Sequence, residues 1–88
     1  MKGLESMQKP ILYYWGPCPT CAMSVEFAEK NGIELDKRDV EQQAPFDELT
    51  ALGGDANQIP YLYDNGKLIQ GVQAINEYLA STYVKSAQ

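Results

Sequence analysis

Trp15-Gly16-Pro17-Cys18-Pro19-Thr20-Cys21 decides how this 88-residue chain is read, because it joins the only two cysteines as a C-x-x-C pair with a proline inside it. Two thiols at this spacing can close a small ring reversibly. If the pair opens a helix, the first sulfur lies near the positive end of the helix dipole, which favours the thiolate and makes that sulfur a nucleophile. That is the chemistry of thiol-disulfide exchange. Other uses of the pair fit less well. Two cysteines and no histidine cannot complete a four-ligand zinc shell within one chain, so a metal would need carboxylates or a second subunit. A merely structural bridge closing so short a loop would remove little unfolded-state entropy. An inert buried pair remains as a third use.

Working outward, Ile11 to Trp15 is a short apolar and aromatic run ended by Gly16-Pro17, which predicts a buried central strand. Pro19 suits the first turn of a helix, where a missing N–H costs nothing, so Cys18 falls at the helix entrance. This helix is expected to reach about Asn31 and stop at Gly32, with Cys21, Val25 and Ala28 inward and Glu26 and Lys30 outward. Ile33 to Val40 predicts a charged strand near a sheet edge. Pro45 is expected to start a second helix that buries Phe46, Leu49 and Leu52 and ends at Gly53-Gly54. Tyr61-Leu62-Tyr63 and Lys67-Leu68-Ile69 flank Asp64-Asn65-Gly66, a strong hairpin signal. A last helix is expected from about Gln73 to Val84, with Ile75, Tyr78 and Leu79 inward.

Eighty-eight residues make one domain, assigned here to 9–88, too small to enclose a large cofactor. The formal net charge of −5 argues against nucleic acid or an anionic membrane as partner. Ile11 to Trp15 is far shorter than the roughly 20 apolar residues a membrane span needs. Residues 1–8 read as a loose N-terminal extension without the apolar stretch of a secretory signal, and Met7 would serve equally as a start. A lone cysteine pair is more often catalytic than structural in a reducing compartment, so a cytoplasmic location is expected.

With the pair after the first strand, Ile59-Pro60 opening the hairpin and a Gly66…Gly71 hairpin, the chain resembles the glutaredoxin branch of the thioredoxin-fold superfamily from about Pro10 to Val84. The resemblance implies an α/β thioredoxin fold: a central four-stranded mixed sheet flanked by three helices, in the order βαβαββα. It also implies that Cys18 is the nucleophile, that Cys21 resolves the mixed disulfide, and that Pro60 is cis beside the sulfurs. Trp15, Pro17, Pro19, Thr20, Gln58, Ile59, Pro60, Gly71, Val72 and Gln73 are the matching substrate-binding candidates, and Tyr61 is the tyrosine nearest to them. No metal and no tightly bound cofactor are expected.

The glutathione site departs from the family pattern. Where relatives commonly carry a lysine three residues before the nucleophile, this chain has Trp15. Where they carry Gly-Gly, Cys or Ser, then Asp, it has Gln70-Gly71-Val72-Gln73. Losing two charge-assisted contacts of roughly 1.5–3 kcal/mol each would weaken glutathione by orders of magnitude, leaving it a weak co-substrate. The expected activity is that of a monomeric dithiol oxidoreductase acting on disulfide-containing proteins or small disulfides, reduced by a thioredoxin-reductase-type flavoprotein or by glutathione. The alternatives are a non-enzymatic binding module, or a dimer sharing an iron-sulfur cluster, which Pro19 disfavours.

Overall fold

The structure is a computed structural model and describes residues 9–84; the expected extension at 1–8 lies outside the described residues. The elements are β1 (Ile11–Tyr14), α1 (Pro19–Lys30), β2 (Asp36–Asp39), α2 (Gln43–Ala51), a 3-10 turn (Ala56–Gln58), β3 (Tyr61–Asp64), β4 (Lys67–Gln70) and α3 (Val72–Tyr83). The sheet order is β2-β1-β3-β4, with β1 parallel to β2 and antiparallel to β3. This is the expected thioredoxin-like fold, a four-stranded mixed sheet with three helices.

Strand alternation divides the core between the two faces of the sheet. Leu12 and Leu62 pack with Ala28 of α1 and with Ile75 and Leu79 of α3. Tyr13 and Tyr61, on the opposite face, pack with Val40 and with Leu49 of α2. Both edges of β1 are paired, so the loop that follows it leaves from the middle of the sheet. At the β3–β4 turn, Asn65 and Gly66 have φ of 52° and 77°, the two left-handed residues that suit the right-handed twist of paired strands.

Several boundaries differ from the sequence reading. β1 stops at Tyr14, because the Trp15 carbonyl turns to accept the N–H of Cys18 at 3.0 Å. Of Ile33 to Val40, only the four residues in register with β1 form a strand. α2 begins at Gln43, so Pro45 is its third residue rather than its first. None of the first-turn N–H groups has an intrahelical acceptor, so proline is tolerated there as well. Phe46 is 42% exposed, not core; α2 packs on the sheet through Leu49, the residue it buries, which lies against Tyr13 and Tyr61. α3 begins one residue early, at Val72, and ends at Tyr83. Tyr78 is only half-buried, and its hydroxyl and that of Tyr83 both donate to the buried Asp64 carboxylate, at 2.8 and 2.7 Å.

Candidate active site

Cys18 is the N-cap of α1 and Pro19 its first residue. The cap is made by sulfur: the backbone N–H of Cys21 donates to Cys18 Sγ at 3.3 Å, and Thr20 Oγ1 lies 3.3 Å from the same atom. The first turn of α1 contains no acidic residue. Burial works to raise the Cys18 pKa, but the hydrogen bonds from Cys21 and Thr20 outweigh it and hold the thiol below its ordinary value. Cys21 sits one turn further in and is 1% exposed. Burial, reinforced by its hydrogen bond to Cys18, pushes this thiol up to about 12. The two free thiols are therefore electrostatically unlike: one is partly exposed and easily ionised, the other buried and protonated.

The remaining candidates fall into three groups. Trp15, Pro17, Pro19 and Thr20 are exposed around Cys18. Ile59 is half-buried and shares with Trp15 a hollow of about 240 Å³ whose other walls are Val40, Glu41, Ala56 and Asn57. The Ile59–Pro60 peptide bond is cis, but the Pro60 ring is almost wholly buried, so this proline forms no part of the exposed rim. Its carbonyl accepts the N–H of Gly71 at 3.0 Å, and the Gln58 carbonyl accepts Gln70 Nε2 at 2.8 Å. These two bonds fasten the segment before β3 to the end of β4 and the entrance of α3. Val72 and Gln73 line a different, 520 Å³ groove between α1 and α3, with Met23 and Phe27. The structure thus does not bring them into the Trp15 hollow. Tyr61 is buried, and its hydroxyl accepts the N–H of Asp55 at 3.1 Å, which makes it a core residue.

Val40, Glu41, Ala56 and Asn57 escape the sequence reading. They come from the loop after β2 and from the 3-10 turn, and no local pattern marks them as neighbours of Trp15. Among the described residues, no group of three or more histidine, cysteine or carboxylate side chains gathers as a metal site requires, and no helix is long and apolar enough to cross a membrane.

The four-stranded mixed sheet, with the cysteine-capped helix leaving its central strand, defines a glutaredoxin-like thioredoxin fold. The sequence pattern of the "Glutathione S-transferase, N-terminal domain" family matches residues 12–87, and the chain belongs to this family. Among solved structures, it is similar to glutathione S-transferase 1-6 from Anopheles dirus species B, with 35% identity and a TM-score of 0.69, covering 85% of this chain and 36% of that one. It is also similar to glutathione S-transferase unclassified 2 from Bombyx mori, at 23% identity and a TM-score of 0.76, covering 91% and 38%. A glutaredoxin from Archaeoglobus fulgidus, at 16% identity and a TM-score of 0.65, is covered over 89% of its length by 90% of this chain. The chain spans little more than a third of the transferases it matches but nearly the whole of the glutaredoxin. Comparison with the curated proteins finds no match.

Proposed function

We propose that the protein is a dithiol oxidoreductase that reduces protein or small-molecule disulfides through Cys18 and Cys21. What supports this reading is the asymmetry of the pair: Cys18 is capped and lowered at the mouth of α1, while Cys21 is buried and raised behind it. The Cys18 thiolate attacks one sulfur of the substrate disulfide, and the departing thiolate takes up a proton. A mixed disulfide now joins Cys18 to the other half of the substrate. Cys21 then gives up its proton and attacks Cys18 Sγ; the second substrate thiolate leaves and is protonated. Two electrons pass from the dithiol to the substrate, and the Cys18–Cys21 disulfide remains. A burst of Cys21 deprotonation in the free enzyme is unnecessary, since the leaving thiolate can accept that proton.

Returning the pair to the dithiol requires two electrons, from a flavoprotein disulfide reductase or from two glutathione molecules, in a reducing compartment such as the cytoplasm. The exposed Trp15 and Pro17, with the half-buried Ile59, form the rim on which a substrate peptide lies. Glutathione is a natural partner to consider for a chain of this family, but the missing lysine at Trp15 and missing aspartate at Gln73 favour the flavoprotein. The test offers the oxidised protein either glutathione with glutathione reductase, or a thioredoxin reductase, and follows NADPH. Faster turnover through the thioredoxin reductase is expected. Fast turnover through glutathione would reverse the choice of reductant, and no turnover by either route would remove the dithiol reading.

A further inference from the structure

Ser24 of α1 is wholly buried, and its hydroxyl finds no hydrogen-bond partner among the described residues. A serine or threonine inside a helix commonly turns its hydroxyl back onto the carbonyl four residues earlier, as Thr50 does on α2, reaching the Phe46 carbonyl at 3.0 Å. Ser24 does not. A buried donor left without a partner costs stability, so the core carries this hydroxyl at a disadvantage that alanine would not have.

Its place on the helix says which group it can serve. Cys21, Ser24 and Ala28 are the buried residues of α1, and Ala28 continues the stripe onto Leu12, Leu62, Ile75 and Leu79. Residues three apart on a helix are neighbours, with about 5–6 Å between their Cβ atoms, and helical side chains tilt toward the N-terminus. The Ser24 side chain therefore lies over the turn that carries Cys21, and rotation about its Cα–Cβ bond brings the hydroxyl to that sulfur.

The surroundings of Cys21 offer little else. Glu26, Glu29 and Lys30 of α1 are exposed, and Lys9, Glu34 and Lys37 line a hollow with Val25 and Ala28, further along the helix. On α3, Glu77 lines the outer groove with Met23 and Phe27, and the Tyr78 hydroxyl is held by Asp64; from the sheet, Tyr14 packs beside the Leu12 cluster. Among these elements the charge that acts on Cys21 is that of Cys18, and burial is the larger influence. Once Cys18 is bonded to substrate its charge is gone. Burial remains, and it opposes the negative charge that Cys21 must develop in order to attack.

We propose that Ser24 is the hydrogen-bond donor of the resolving step, its O–H turning onto the Cys21 sulfur as negative charge develops there. The proposal rests on the dithiol reading above. The Cys21 proton goes, as in that cycle, to the departing substrate thiolate; Ser24 keeps its own proton, and no covalent bond to it forms or breaks. A donor aimed at a group that becomes charged only during the reaction acts on the transition state, which accounts for a hydroxyl without a partner in the resting dithiol.

The test mixes the reduced protein with equimolar dithiobis(nitrobenzoate) and follows release of the coloured thiolate. The first release reports attack by Cys18, and the second, independent of reagent concentration, reports resolution by Cys21. Ser24→Ala, which only removes an atom and needs no repacking, is expected to leave the first release unchanged and to slow the second about tenfold at neutral pH, the lower end of what a hydrogen bond to a charged group supplies. Its thermal midpoint is expected to stay level or rise. Ser24→Thr and Ser24→Val add the same volume to the core and differ in the hydroxyl, so the threonine variant is expected to resolve about tenfold faster than the valine variant. Equal second releases in those two would overturn the proposal, as would a second release unchanged in Ser24→Ala or both releases slowed alike. If the unaltered protein gives one release only, Cys21 does not resolve and the dithiol reading itself falls; if it gives two and Ser24→Ala changes neither, only the role of Ser24 falls.

Discussion

The backbone N–H of Cys21 points at the sulfur of Cys18, 3.3 Å away, so the residue that resolves the mixed disulfide in the proposed cycle also helps to ionise the residue that forms it. Helix geometry makes this unavoidable. An N-cap side chain reaches the N–H groups of the second and third residues of the helix, and the C-x-x-C spacing puts Cys21 at the third. With Pro19 as the first residue, the helix starts where the first cysteine can cap it.

Ionisation of Cys18 is directly measurable. Its rate of alkylation by iodoacetamide is expected to rise with pH and level off with an inflection below about 8.5, the ordinary thiol value, because the hydrogen bonds to Sγ favour the thiolate. Thr20→Val removes the hydroxyl 3.3 Å from that sulfur. The inflection is expected to move up, and alkylation at neutral pH to slow by roughly two- to tenfold, as the loss of one hydrogen bond implies. An unchanged profile in Thr20→Val would mean that the hydroxyl takes no part.

Cys21 makes a prediction of opposite sign. Its thiol keeps its proton in the folded protein up to about 12, whereas in the unfolded chain it loses the proton near about 8.5. Between those values the unfolded state binds fewer protons, so this group's contribution to stability is complete below about 8.5 and is lost as the pH climbs toward about 12. Urea unfolding of the reduced protein is expected to show a falling midpoint over this range, and Cys21→Ser is expected to flatten the fall. Equal alkaline slopes for the two proteins would contradict the burial assigned to Cys21.

Asp64 ties the hairpin to the end of α3 through the hydroxyls of Tyr78 and Tyr83. Asp64→Asn keeps the shape but replaces charge-assisted bonds with neutral ones, and is expected to cost roughly 1–3 kcal/mol in thermal unfolding. Tyr83→Phe, which removes one donor, is expected to cost less. Alkylation of Cys18 is expected to be the same in all three proteins, since this cluster holds the end of α3 and no part of the sulfur site. A thermal midpoint unmoved by Asp64→Asn would show that the cluster does not fasten α3.

How legible these features were follows from the range of the signals involved. α1 could be read from Pro19 and Gly32, and the hairpin from Asn65-Gly66, because proline, glycine and asparagine restrict the backbone at the residues themselves. Phe46 and Leu49 were not separable, since both fit a helical period and only the placement of α2 against β2 decides which is buried. The cysteine pair was visible because its chemistry lies within four residues. Val40 and Ala56 became neighbours of Trp15 only through the strand order β2-β1-β3, a long-range arrangement with no local mark. Thr20, read as a substrate contact, has its hydroxyl at Cys18 Sγ, a side-chain orientation that the sequence does not encode visibly.

The central claim is that Cys18 attacks and Cys21 resolves. Its most direct test is mass spectrometry under non-reducing conditions, after each single-cysteine variant has been mixed in its reduced form with a disulfide-bonded protein. Cys21→Ser is expected to accumulate a covalent adduct through Cys18, and Cys18→Ser to accumulate none. Adducts of equal abundance on both variants, or an adduct on Cys18→Ser alone, would contradict the assignment.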